Sequence, residues 1–163
     1  MKYCHECGTR LIEKPLENEG IIPYCEKCGQ YRFPIFSAAV SMIVHDPEKT
    51  RILLIQQYGK PSYVLVAGYI NKGESAEAAV IREVREETGL TVTSLHFNKS
   101  EYFERSNTLM FNYTCVVDSD SLEGLNATEI DKADWFGISE APQAIRKNSL
   151  AEKFLLYYLE NRE

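Results

Sequence analysis

Residues Gly68 to Leu90 read GYINKGESAEAAVIREVREETGL. Glycine punctuation leading into a run without Pro predicts a loop followed by an amphipathic helix. The helix should begin near Ser75 and end at Gly89, a residue free to take the left-handed conformation that closes many helices. Glu83, Glu86 and Glu87 are spaced i, i+3 and i+4, which sets all three carboxylates on one face. Val80, Val84 and Ile81 form the adjoining apolar stripe, and Ala76 and Ala79 leave room beside the acids. Three like charges so arranged repel one another. Hard divalent cations such as Mg²⁺ or Mn²⁺, which prefer carboxylate oxygens, would relieve that repulsion. A solvated acidic face is the other reading of the same residues.

The flanking sequence supplies a sheet. Ser37–His45 and Arg51–Gln57 are rich in Val, Ile and Leu and are joined by the turn DPEKT, so they read as strands. Tyr63–Ala67 reads as a third. Their continuous apolar character suits a sheet covered on both faces. Leu90–Phe103 and Thr108–Asp118 read as two long strands, and Ala133–Phe136 as a short one. Ser139 is expected to cap a short helix through Arg146, with Pro142 in its first turn. Ser149 is expected to cap a final helix carrying Leu150, Phe154, Leu155, Tyr158 and Leu159 at helical spacing. His45 reads as a turn residue, His96 as a strand residue without a role, and Cys115 as a small buried side chain.

Upstream, Cys4-x2-Cys7 and Cys25-x2-Cys28 are separated by 17 residues, and Gly8 and Gly29 follow the second Cys of each pair. Each CxxC turn aims two thiolates at one point, and four thiolates suit tetrahedral Zn²⁺ in a closed structural site. Two redox-active pairs or two disulfides are the competing reading. About 30 residues bury too little apolar surface to fold alone, so metal would supply the folding energy. The ribbon mixes acids and bases evenly and is expected to brace its neighbour. The boundary is set at Pro34, giving a ribbon over 1–33 and a second domain over 34–163.

The 163 residues, 44% hydrophobic with a net charge of -6, fit one globular domain with a small appendage. The acidic balance argues against a protein built to hold long nucleic acid. The longest apolar run, Ile35–Val44, is too short for a bilayer, and no basic-then-apolar leader is visible. Paired Cys that serve a metal point to the reducing cytoplasm.

Gly68, Glu74, Arg82, Glu83, Val84, Glu86, Glu87, Gly89 and Leu90 match G-x5-E-x7-R-E-U-x-E-E-x-G-U, with U apolar, at every fixed position. This resembles the Nudix box, the signature of the Nudix hydrolases. The resemblance implies an α/β/α sandwich with a mixed sheet, preceded here by the small four-Cys zinc ribbon. It implies metal-dependent hydrolysis of a nucleoside diphosphate linked to another group, with Glu83, Glu86 and Glu87 holding Mg²⁺ or Mn²⁺ and Arg82 orienting a catalytic Glu.

A four-Cys ribbon before such a domain is similar to the NADH diphosphatase branch of that family. By that likeness Glu129, six residues before Trp135, supplies a further metal-binding carboxylate; the loop before the box helix is expected to place the backbone of Ala67 and Gly68 close to the metal site, with the Ala67 carbonyl as a ligand. Ser149-Leu150-Ala151 matches a segment that touches substrate, which makes Ala151 a candidate contact. The branch's substrate signature, S-Q-P-W-P-F-P-x-S, is replaced by SEYFERSNT (Ser100–Thr108). Ser100 is kept and Phe103 holds the aromatic position, but every Pro is gone, so the backbone is free to form an ordinary strand. Arg105 is read either as a phosphate contact or as a solvent-facing strand residue. Phe33 and Tyr69 are read either as stacking partners for a base or as core. The proton acceptor is Glu87 or Glu129.

The expected substrate is NADH, ADP-ribose or a related dinucleotide. The alternatives are hydrolysis of an NAD-type RNA 5′ end and a non-catalytic nucleotide sensor. A homodimer is implied by the resemblance.

Overall fold

The computed structural model describes residues 1–162. The chain divides into two compact units that part after Phe36, three residues beyond the break expected at Pro34.

The N-terminal unit is a three-stranded antiparallel sheet, β1 (Ile12–Leu16), β2 (Gly20–Cys25) and β3 (Gln30–Tyr31), in that order. Its two CxxC turns have the same construction. The Gly8 amide donates to the Cys4 carbonyl at 2.9 Å, and the Gly29 amide donates to the Cys25 carbonyl at 2.8 Å. Both glycines have positive φ, 71° and 66°, so each turn closes in a conformation L side chains resist.

The C-terminal unit is built on a six-stranded mixed sheet. β4 (Ser37–His45) lies at its centre, with β5 (Arg51–Gln56), β6 (Val66–Tyr69), β7 (Val92–Phe103), β8 (Thr108–Val117) and β9 (Lys132–Gly137) around it. The order is β7-β8-β4-β5-β9, with β6 also paired to β4. Only β4 and β8 run parallel. Alternation along β4 sorts its side chains onto two faces. Val40, Met42 and Val44 join one apolar cluster, under helix α1 (Ala76–Thr88). Ile43 joins a second cluster with Ala141 of α2 (Ala141–Ala144) and with Phe154 and Leu155 of α3 (Leu150–Asn161). The layers are α/β/α, as the resemblance implied.

Several local readings shift. The third strand pairs with β4 only from Val66 to Tyr69, because Val64 first bridges back to Ile55 of β5. An apolar run cannot say at which residue a chain changes neighbours. Ile81 lies outside the buried stripe of α1 and is 46% exposed, while Ala79 is fully buried in that stripe, four residues before Glu83. Near Pro142 the helix is one turn long, and its N-cap position is Glu140, not Ser139. The final helix is capped as expected, with Ser149 Oγ accepting from the Glu152 amide at 3.1 Å. Arg105 belongs to a 3-10 turn, Glu104–Ser106, between β7 and β8 rather than to a strand. His45 is the last residue of β4 and is buried, not a turn residue. Cys115 is buried as expected. Among the described residues no helix is long and apolar enough to cross a membrane.

Candidate functional site

Helix α1 begins where Ser75 Oγ accepts from the Ala78 amide and ends at Gly89 in the left-handed conformation. Its buried residues are Ala79, Val80, Glu83, Val84, Glu87 and Thr88, a repeat of adjacent pairs four residues apart. Two carboxylates therefore occupy the stripe that faces the sheet, and Glu86 falls outside it. The sheet opposite leaves room for one of them. A Cβ placed on Gly68 would stand 1.9 Å from Cδ of Glu83, so the glycine is required by the acid and not by its own backbone angles.

Arg82 holds the acids in register. Its Nε donates to Glu74 Oε1 at 2.7 Å and its Nη2 to Glu74 Oε2 at 2.9 Å. Its Nη1 reaches Glu83 Oε1 at 2.7 Å and Glu86 Oε2 at 3.0 Å, and Nη2 also reaches the Tyr69 carbonyl at 2.9 Å. These five bonds match the five N–H donors of a guanidinium. The paired Arg82, helped by the Asn71 amide, holds the Glu74 carboxyl down at about 2. Glu74 thus clamps the loop to the helix.

Glu87 has no such partner. It is 4% exposed, its Oε2 meets no hydrogen-bond donor, and Gln57 reaches Oε1 only at 3.4 Å. Burial first, then the charges of Glu83 and Glu129, push its carboxyl up to about 8. Glu129 is brought to the site by the loop between β8 and β9. The Asn126 amide donates to the Glu87 carbonyl at 2.9 Å, and the Glu129 amide donates to the Asn126 carbonyl at 3.0 Å. Gly124 of the same loop packs against Gly89, where an added Cβ would approach to 2.8 Å.

Glu83, Glu87 and Glu129 line one cleft of about 520 Å³, together with Ala67, Gly68, Tyr69 and Phe103. Glu86 turns away to Arg82, with its side chain 56% exposed. Arg105 is exposed on its turn, and Ala151 packs into the second apolar cluster; neither lines the cleft, although Leu150 does. Phe33 belongs to the N-terminal unit and is exposed there. Sequence reasoning missed Tyr58, Thr108 and Met110, which line the cleft as well. For Tyr58 the signal was the Gln-Tyr-Gly turn after β5, where Tyr58 stands at φ 58°.

An unpartnered buried carboxylate oxygen between two further carboxylates is a donor set that fits a hard divalent cation. In the N-terminal unit the four Sγ atoms of Cys4, Cys7, Cys25 and Cys28 lie within 4.8 Å of one another, with 3.5 Å between Cys7 and Cys25 and 3.9 Å between Cys4 and Cys28. Tetrahedral zinc with Zn–S bonds of about 2.3 Å sets sulfurs roughly 3.8 Å apart, so the thiols fit that ion. Among the described residues only these thiols converge so closely. Arg32, buried behind them, donates from Nε to Cys4 Sγ at 3.2 Å and pairs with Glu6 at 2.5 Å.

Comparison with known proteins follows the same lines. The chain is 27% identical over 161 residues to the NAD-capped RNA hydrolase NudC of Pseudomonas aeruginosa, and 27% identical over 157 residues to that of Vibrio parahaemolyticus. These matches cover 99% and 95% of the chain, but only 56% and 58% of the relatives, so the chain spans a little over half their length. Among solved structures it resembles a NUDIX hydrolase from Nitrosomonas europaea (TM-score 0.67, 21% identity, 99% of this chain and 92% of that one). It also resembles the NUDIX domain of Shewanella oneidensis NrtR, solved with ADP ribose (TM-score 0.64, 17% identity, 84% and 92%). At these identities the likeness establishes the fold. The NUDIX domain family model matches residues 36–158, and with every fixed position of the box present from Gly68 in β6 through α1 to Leu90, the chain belongs to the NUDIX family.

Proposed function

We propose that the C-terminal domain hydrolyses the diphosphate bond of a nucleoside diphosphate derivative such as NADH, ADP-ribose or a related dinucleotide. The observation that carries this reading is the bare, buried Oε2 of Glu87 between Glu83 and Glu129 in an open cleft. Glu83, Glu87, Glu129 and the Ala67 carbonyl, with Glu86 at the rim, would hold Mg²⁺ or Mn²⁺. Such ions neutralise a diphosphate and make a water molecule acidic enough to attack phosphorus.

The chain's own groups divide the remaining work. Arg82 fixes Glu83 by a charge-assisted bond, which leaves Glu83 a fixed anchor rather than a mobile base. Glu87, with one oxygen uncommitted, is assigned the proton of the attacking water. Tyr58, Tyr69 and Phe103 offer ring faces at the cleft for a base or nicotinamide. Zinc on Cys4, Cys7, Cys25 and Cys28 would be structural, with no open position for chemistry. We place the protein in a reducing compartment such as the cytoplasm, in keeping with five free thiols, and expect a homodimer.

A second reading, hydrolysis of an NAD-type RNA 5′ end, is favoured by the names of the relatives from Pseudomonas and Vibrio. Turnover of NADH, NAD⁺, ADP-ribose, dinucleoside polyphosphates, sugar nucleotides and NAD-capped RNA with Mg²⁺ or Mn²⁺, against EDTA controls, tests both. Release of nucleoside monophosphate from small substrates supports the first reading, and preference for capped RNA supports the second. No turnover of any substrate would leave a nucleotide-binding sensor.

A further inference from the structure

His45 ends β4 on the face that carries α3, since it shares the alternation of Ile43. It is 2% exposed, and neither ring nitrogen has a hydrogen-bond partner. The ring of Tyr158 lies beside it, with centroids 5.5 Å apart. A buried imidazole that bonds nothing is rare, because desolvating its polar atoms without compensation is unfavourable. Burial holds its pKa below the ordinary value against the opposing pull of Asp46 and the Arg51 backbone, so the ring is neutral and offers one N–H and one lone pair.

The ring lines a cavity of about 320 Å³ with Lys49, His96, Thr114 and Tyr158. That cavity adjoins another of about 580 Å³, which shares His96, Thr114 and Tyr158 and adds Arg162. Together they form a groove between α3 and the strands β7 and β8. Among the described residues no acidic side chain lines either part. In a chain of net charge -6, Lys49 and Arg162 face it without an ion pair among the described residues. The carbonyl end of α3 opposes an anion there, and the two cations act against it. Tyr158 follows Leu150 of the catalytic cleft by two helical turns, about 12 Å along α3, so this groove is a separate place on the domain.

We propose that this groove is a second ligand site, for a small phosphate ester whose anionic group meets Lys49 and Arg162 and whose remainder reaches His45. Two cations receive the charge, and the uncommitted imidazole supplies the directional contact at the buried end. Each part of the groove has the volume of an ordinary small-molecule site.

The chain has three histidines, and each reports separately. His45 and His96 line the groove, and His5 lies in the N-terminal unit as an internal control. The experiment follows imidazole resonances of the full chain by NMR in EDTA, where the carboxylates of the catalytic cleft repel anions, while AMP or inorganic phosphate is added at constant ionic strength. The expected result is a saturable shift of His45 and His96 with AMP, competed away by inorganic phosphate, absent at His5 and not reproduced by chloride. Replacing both exposed cations, Lys49→Gln with Arg162→Gln, should weaken AMP binding about tenfold without altering the fold. No saturable shift at His45, an equal response to chloride, or native affinity in the double variant would overturn the site. AMP binding that phosphate cannot displace would overturn the role given to the phosphate group. None of these outcomes depends on whether the diphosphate is hydrolysed.

Discussion

The carboxyl carbon of Glu83 occupies the space a side chain at Gly68 would need: a Cβ there would come to 1.9 Å from Glu83 Cδ and 2.2 Å from Oε1. Strand β6 and helix α1 meet here with no room to spare, and the object in the gap is a carboxylate rather than backbone. Gly68→Ala should therefore move the Glu83 carboxylate and leave the fold standing. A displacement of about 1 Å at a catalytic group costs roughly 10²-fold in rate. We expect that loss in turnover of the substrate identified in the panel, with a melting temperature within a few degrees of native; an active variant would detach Glu83 from catalysis.

Glu87→Gln separates activity from stability. Removing the proposed proton acceptor should cost about 10³-fold in kcat. In EDTA the same change should stabilise the protein at alkaline pH. The carboxyl sits at about 8 in the fold against an ordinary value near 4.5, so the folded state keeps a proton that the unfolded chain has released between those values. That contribution is complete below the lower value and is lost as pH rises through the higher one. The melting-temperature gap between variant and native protein should accordingly widen from pH 5 to pH 9 in EDTA, and Mg²⁺ should stabilise the native protein more than the variant. A gap independent of pH would place Glu87 in contact with solvent.

Arg82→Lys keeps the charge but loses the fork that joins Glu74, Glu83, Glu86 and the Tyr69 carbonyl. A single ammonium cannot span those four acceptors. Turnover should fall roughly 10²-fold, with kcat bearing more of the loss than KM, because the acids are misplaced while the aromatic rim is intact. Steady-state kinetics on the lysine variant check the split.

Gly89→Ala is expected to act on stability first. Gly89 stands at φ 74°, and a Cβ would approach the Gly124 backbone to 2.8 Å, with no flexible side chain to yield. Strain and overpacking together should lower stability by about 2–4 kcal/mol. The loop pushed away is the one that carries Glu129, so residual activity should fall with it. Urea denaturation and turnover on the same preparation measure both.

Arg32→Met tests the support of the thiol cluster. The guanidinium gives a charge-assisted bond to Cys4 Sγ from a buried position, and losing such a support to a ligand typically lowers metal affinity by 10–100-fold. Zinc release to a chromophoric chelator should speed accordingly, and Arg32→Lys should lie between. Unchanged release would make Arg32 a prop for Glu6 alone.

Much of this was legible in the sequence because it is local. Ser75 and Gly89 bounded α1 by capping chemistry, and β4 ran over the residues its apolar run named. The two CxxC turns brought four thiols together as their spacing required. Other features were not legible. Helical spacing set three glutamates on one face, yet only Glu83 and Glu87 are buried, because the width of the buried stripe depends on how the sheet presses on the helix. Arg105 and Ala151 were drawn by register with a motif and ended outside the cleft, since a 3-10 turn and a core contact redirected them.

The sequence by itself determined the caps, the alternation and the clustering of acids and thiols, all of which follow from backbone geometry and side-chain spacing over a few residues. The tertiary structure alone decided that Gly68 is vacant for Glu83, that one buried oxygen of Glu87 is left without a partner, and that neither ring nitrogen of buried His45 meets one. Those are relations between residues far apart in the chain, created by burial, and burial is a property of the packed sheet and helices that no short stretch of residues contains.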